Sequence, residues 1–233
     1  MRKKLLLLLL VGWLTAVLPA CTSPQPNAES EQVSGAWARP TEEPVAVDDL
    51  TLASLTAVSE GRFVGDVVNP PVAVRDFTAP STRQDVSQLS DLNGRWRLIF
   101  FGYMHCPDFC PMTLVDYKNA KKALGEAAAD VDFVFISVDA ARDSVDKMQP
   151  YLANFDSDFV GFAADDETLA HIQPDYGFYY QRRLESGSQS VYTIDHSTRS
   201  YLLDREGVLR ATFAYKTTPN SIAEALDWYL AHE

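Results

Sequence analysis

Cys106 and Cys110 are separated by Pro107, Asp108 and Phe109 in the stretch FFGYMHCPDFCPMTL, which runs from Phe100 to Leu114. Thiols at i and i+4 fall on one face if the chain turns helically, near enough to share a metal ion or to close a disulfide. As a disulfide, so small a loop would restrain the unfolded chain little, which makes the pair chemical rather than structural. Pro111 predicts a helix start, because proline is favoured in the first helical turn. The free N–H groups and positive dipole end of such a start favour the thiolate, the form that attacks disulfides and binds metals. Two thiolates suit a soft ion such as copper(I), whereas structural zinc usually fills four positions.

One imidazole would extend such a site, and the chain has four histidines. His105 neighbours Cys106, His171 falls in a candidate helix, and His232 lies at the chain end. His196 follows the strand-like VYTID and is expected in a loop between two hairpin strands, where a polar side chain is free to face a site. Position alone also allows a hairpin residue bonded only to its neighbours. Asp195 is a candidate to orient the ring, since ligand histidines donate their second N–H to a carboxylate or carbonyl; an ordinary turn aspartate is the alternative. Met104 and His105 read as loop packing near the cysteines and Met112 as core filler. Asp139, Arg142 and Asp143 read as a docking surface or a solvated loop.

These residues need elements to position them. Arg97 to Tyr103 is a short apolar run that predicts a strand buried on both faces, and Asp132 to Asp139 predicts another. A helix is expected from Pro111 to about Ala129 and a second from Asp143 to Phe155. A strand, helix, strand order with buried strands implies a parallel pair with a right-handed crossover. Asp166 to Tyr176 is a further helix candidate, and Gly177 to Arg182, Ser190 to Ile194, Ser200 to Leu203 and Val208 to Tyr215 are strand candidates. The DREG turn at Asp204 to Gly207 joins the last two as a hairpin. Pro219 to His232 reads as a closing helix with Ile222, Ala225, Leu226, Tyr229 and Leu230 on one face. A β-α-β unit followed by a β-hairpin and a final helix is a thioredoxin-like α/β arrangement, with a central mixed sheet flanked by helices.

With 46% hydrophobic and 22% charged residues among 233, the chain can bury a full core, and its composition excludes disorder as a whole. Its formal charge is −12. Arg2, Lys3 and Lys4 are the only charges before Cys21, so the remainder carries about −15, which excludes nucleic acid as a partner and attracts cations or a basic protein. The basic start, the apolar run from Leu5 to Leu18 and Ala20 before Cys21 predict a secretory signal over residues 1–20. The run is short for a membrane span. Residues 21–60 are expected to be a flexible extension, rich in Ser, Pro, Glu, Gln and Ala between Thr22 and Pro44, and residues 61–233 one domain.

Leu18 to Cys21 resembles a bacterial lipoprotein box, with Pro19 departing from its pattern. The resemblance implies lipidation of Cys21 and an extracytoplasmic protein anchored to the bacterial cell membrane. Cys106 and Cys110 would then lie where thiols tend to be oxidised.

Three blocks, GYMHCPDFCP (Gly102 to Pro111), ISVDAARD (Ile136 to Asp143) and YTIDHS (Tyr192 to Ser197), resemble the Sco/SenC family. Asp76, Phe77 and Leu89 to Gly94 add weaker support, so the resemblance covers about residues 61 to 231. Met104 stands where the family more often has Thr or Ser, and Ala140 where Pro is common. The resemblance implies a copper ion, Cu(I) or Cu(II), on Cys106, Cys110 and His196, with the cysteines also redox-active. It implies a metallochaperone that helps assemble the dinuclear copper centre of cytochrome c oxidase. The expected partners are oxidase subunit II and another periplasmic copper chaperone or thiol reductase. A thiol-disulfide oxidoreductase acting on the oxidase cysteines, and a redox or copper sensor, use the same residues.

Overall fold

The computed structural model describes residues 48–63, 65–184 and 192–232. The expected signal segment 1–20, Cys21 and the extension up to residue 47 lie outside the described residues. In chain order the elements are α1 (Asp49–Ser59), β1 (Asp66–Ala73), β2 (Trp96–Gly102), α2 (Phe109–Leu124), β3 (Val131–Ser137), α3 (Val145–Ala153), β4 (Val160–Ala163), α4 (Asp166–Tyr176), β5 (Tyr180–Leu184), β6 (Tyr192–His196), β7 (Ser200–Leu203), β8 (Val208–Phe213) and α5 (Pro219–Ala231). Six strands form one mixed sheet in the order β1-β8-β7-β2-β3-β4, and β5 pairs with β6 in a separate two-stranded sheet.

Both central strands are buried along their whole length, as apolar runs require when helices or loops cover both sheet faces. They run parallel, in register from Trp96 opposite Val131 to Gly102 opposite Ser137. β4 continues the parallel set beyond β3, while β7 flanks β2 antiparallel. Residues alternate between faces along each strand. On one face Trp96 meets Tyr229 of α5, Phe133 meets Tyr117 of α2, and Phe135 meets Tyr151 of α3. On the other, Phe101 packs against Tyr176 of α4, Tyr201 and Phe178, the last stacked at 4.0 Å between centroids. The result is a thioredoxin-like fold, and the parallel strands β2 and β3 end on the side where the cysteine loop begins.

Three elements escape the sequence patterns. β1 carries Pro70 and Pro71, which argue against a strand, but it lies at the sheet edge and its pairing with β8 shifts register between Val67 and Val72; edge strands with bulges tolerate proline. β4 is four residues long, too short for a periodic signal. α1 lies inside the stretch expected as a flexible extension. Asp48 caps it by accepting the Thr51 N–H at 2.7 Å, and Ala57 is fully buried. Ordered structure therefore begins before residue 61. Among the described residues, no helix is long and apolar enough to cross a membrane.

Candidate metal centre

β2 ends at Gly102, and Tyr103, Met104 and His105 carry the chain to Cys106. The turn is fixed from below by Asp143, which is fully buried. One of its carboxylate oxygens accepts the Met104 N–H at 2.9 Å and the Ser137 hydroxyl at 2.7 Å. The Val138 N–H donates to the Gly102 carbonyl at 2.8 Å, tying the ends of the two parallel strands together. α2 starts at Phe109, two residues before Pro111, so Cys110 lies in the first helical turn. Its free N–H points at Cys106 Sγ, 3.4 Å away, as an unpaired N–H at a helix start can.

Both cysteines are free thiols, Cys110 fully buried and Cys106 7% exposed. Their environments split their acidities. The Cys110 side chain beside it is the largest influence on Cys106; burial opposes it, and the His196 ring and the N–H groups of Cys110 and Asp108 assist, leaving the Cys106 thiol lowered to about 3. Burial, reinforced by Cys106, pushes the Cys110 thiol far up. The pair is therefore asymmetric, a thiolate at Cys106 beside a more deeply buried, protonated thiol at Cys110.

His196 does not sit in a loop between hairpin strands. It is the last residue of β6, paired with Tyr180 across the small sheet. From there its Nε2 lies 3.4 Å from Cys110 Sγ. Nδ1 lies 2.9 Å from the Ser197 carbonyl oxygen. A carbonyl can only accept, so Nδ1 carries a hydrogen and Nε2 is the ring nitrogen turned to the sulfurs. Phe100 and Tyr103 meet the ring edge-on at 5.8 and 5.7 Å between centroids and fix its tilt. The two sulfurs and a ring nitrogen lie within 4.8 Å of one another, and this trio is the Cys/His/carboxylate group that could hold a metal ion among the described residues.

The other residues singled out in the sequence fall elsewhere. Asp195 points away from the ring it neighbours and pairs with Arg183 at 2.6 Å; the Ser197 carbonyl takes the orienting role instead. His105 is exposed and turns toward Asp143, its Nδ1 3.5 Å from the carboxylate. His171 and His232 are exposed, the latter stacked on Trp228. Met104 packs against the core, but Met112 is 50% exposed, because its side of the first turn of α2 faces solvent rather than the sheet. Asp139, Arg142 and Asp143 form neither a docking surface nor a solvated loop, since both carboxylates are fully buried. Gly102, Tyr103 and Phe100 also shape the site, and their nearness to the cysteine loop is the signal for them in the sequence.

The chain is similar to solved structures of Sco proteins. It matches ScoI of Bradyrhizobium japonicum, solved with copper bound, at 34% identity and a TM-score of 0.61, over 67% of this chain and 98% of that one. ScoI of Arabidopsis thaliana, also solved with copper bound, matches at 26% identity and a TM-score of 0.63, over 69% and 99%. The mitochondrial protein SCO1 homolog 1 of Arabidopsis thaliana is 32% identical over 163 residues, covering 69% of this chain. The matched region is 46% of that relative, so the chain spans about half its length. The SCO1/SenC family model matches residues 68–231, all of the main sheet but the first two residues of β1 and every residue of the cysteine–histidine site, and the chain belongs to this family.

Proposed function

We propose that this protein is a copper metallochaperone of cytochrome c oxidase assembly, binding one copper ion through Cys106, Cys110 and His196. The observation that carries the reading is the convergence of two sulfurs and one ring nitrogen within 4.8 Å, with the far ring nitrogen already engaged by a carbonyl. Two thiolates and an imidazole match the preferences of copper, with sulfur favouring the cuprous ion. Two relatives that resemble this chain over its folded part were solved with copper bound. Such a three-ligand site suits a carrier, because an incoming thiolate can join the ion before a resident ligand leaves. The receiving partner in this reading is oxidase subunit II, and another periplasmic copper chaperone or thiol reductase acts upstream. A lipid on Cys21 holds the domain at the extracytoplasmic membrane face.

The asymmetry of the two thiols favours a second activity on the same residues. The low-lying Cys106 thiolate attacks a disulfide in the target, forming a mixed disulfide and releasing one target thiolate. Cys110 passes its proton to the released target thiolate and attacks Cys106 Sγ, breaking the mixed disulfide, releasing the second target sulfur as a thiolate and leaving Cys106–Cys110 oxidised. Two electrons pass to the target.

Titrating the reduced protein with cuprous ion against a chelator of known affinity separates the readings. The chaperone reading expects one equivalent bound, and His196→Ala weakening it by about tenfold or more. Equal affinity in the two proteins discards His196 as a ligand, and reductase activity that survives His196→Ala unaltered leaves the dithiol as the sole working group.

A further inference from the structure

β6 pairs with β5 alone, in a two-stranded sheet detached from the central one. A lone hairpin is marginal in water, yet His196 at its end must stay within 3.4 Å of a sulfur on another element. Side-chain ties must supply the difference. The exposed pair Arg182–Asp166 is a weak one. A stronger tie comes from the turn between β3 and α3. The Arg142 Nε donates to the buried Asp139 carboxylate, and Nη1 donates to the Tyr192 carbonyl of β6 at 3.0 Å. The Tyr192 hydroxyl returns to Asp139 at 2.7 Å, closing a ring of three residues. The guanidinium also lies over the Tyr192 ring at 3.7 Å and within 5.9 Å of the Tyr103 ring. Its Nη2 is buried without an oxygen acceptor, which leaves it to the aromatic faces. Tyr103 in turn accepts the Ile194 N–H of β6 at 3.2 Å and touches the His196 ring.

We infer that Arg142 is the positioning residue for the third ligand: with Asp139 and Tyr192 it clamps the β5–β6 hairpin to the end of β3, and Tyr103 passes that clamp to His196. This rests on the copper reading for its metal-binding consequence, though the clamp itself does not need the ion. Arg142 touches no ligand atom, so its effect runs through His196 alone.

Arg142→Met keeps the aliphatic stem and removes the donor fork; Tyr192→Phe removes only the hydroxyl bond to Asp139. In the reduced, full-length, metal-free protein, amide exchange at Ile194 is expected to quicken about tenfold in Arg142→Met and less in Tyr192→Phe, with β2 and α2 unchanged. With cuprous ion, Arg142→Met is expected to weaken binding about tenfold, and Arg142→Met/His196→Ala to bind no more weakly than His196→Ala alone. Unchanged exchange at Ile194 in both variants overturns the clamp, as does an Arg142→Met effect that adds fully to that of His196→Ala. If His196→Ala leaves copper affinity untouched, the copper reading fails, while exchange at Ile194 still decides the clamp.

Discussion

Gly102 and Cys110 meet at one small volume. A Cβ on Gly102 would lie 2.9 Å from Cys110 Sγ, 2.7 Å from a ring carbon of Phe100 and 2.9 Å from one of Phe135. Residue 102 is the last of β2 and continues its strand conformation, so the glycine serves space rather than backbone freedom. Its missing side chain is the room in which the sulfur sits.

Gly102→Ala therefore tests how tightly the sulfur is placed. Phe100 and Phe135 are wedged in the packed sheet face and cannot retreat far, so the clash falls partly on Cys110. Overpacking of this kind costs about 1–3 kcal/mol of stability. The variant is expected to unfold at lower denaturant and to bind copper more weakly, while Cys106, which the added methyl does not meet, keeps its reactivity. Copper affinity equal to wild type would mean that the sulfur has room the geometry denies it.

The acidity of Cys106 predicts an unusual pH profile. An ordinary thiol alkylates about tenfold faster per pH unit up to a pKa near 8.5. With the Cys106 pKa lowered to about 3, its thiolate is almost fully formed at any pH well above that value. Its alkylation rate should be flat from about pH 5 upward and fall only in stronger acid. Cys110, raised by burial, should stay unreactive across the range. Because the His196 ring helps hold Cys106 low, His196→Ala should move the acid edge of the profile upward. A wild-type rate that climbs steadily through neutral pH would contradict the lowered acidity.

The central β-α-β unit was legible because its strands are continuous apolar runs and its helix begins at a proline. The cysteine spacing named the chemistry for the same local reason. Local patterns cannot report what depends on sheet order. β1 hides behind Pro70 and Pro71 because only its edge position permits them. His196 looked like a loop residue because the alternating pattern fades after Ile194, whereas β6 runs on to His196, opposite Tyr180 of the neighbouring strand β5. Asp139 and Arg142 looked like surface charge because their partner, Tyr192, lies about fifty positions away. The same long-range pairing brings the imidazole to the sulfurs, so the least legible part of the fold completes the site.

The boundary of the domain yields the last prediction. Asp48 caps α1 through the Thr51 N–H, and its other carboxylate oxygen pairs with Arg210, which also holds the buried Asp204 at 2.6 Å. Burial disfavours the Asp48 charge, but the Thr51 bonds and the Arg210 guanidinium outweigh it and hold the carboxyl below its usual value. A carboxyl lowered in the folded state adds stability that is present above its unfolded pKa and lost as pH falls through the folded one. Asp48→Ala should thus destabilise the protein at neutral pH by about 1 kcal/mol, a typical loss for an N-cap. Asp48→Asn, which keeps a capping oxygen but not the charge, should cost less. Both differences from wild type should shrink as the medium is acidified below the ordinary carboxylate range. Copper affinity should not change, since α1 takes no part in the metal centre. Urea unfolding of the three proteins at neutral and acid pH checks this, and identical midpoints at neutral pH would show that α1 does not contribute to the stability of the folded domain.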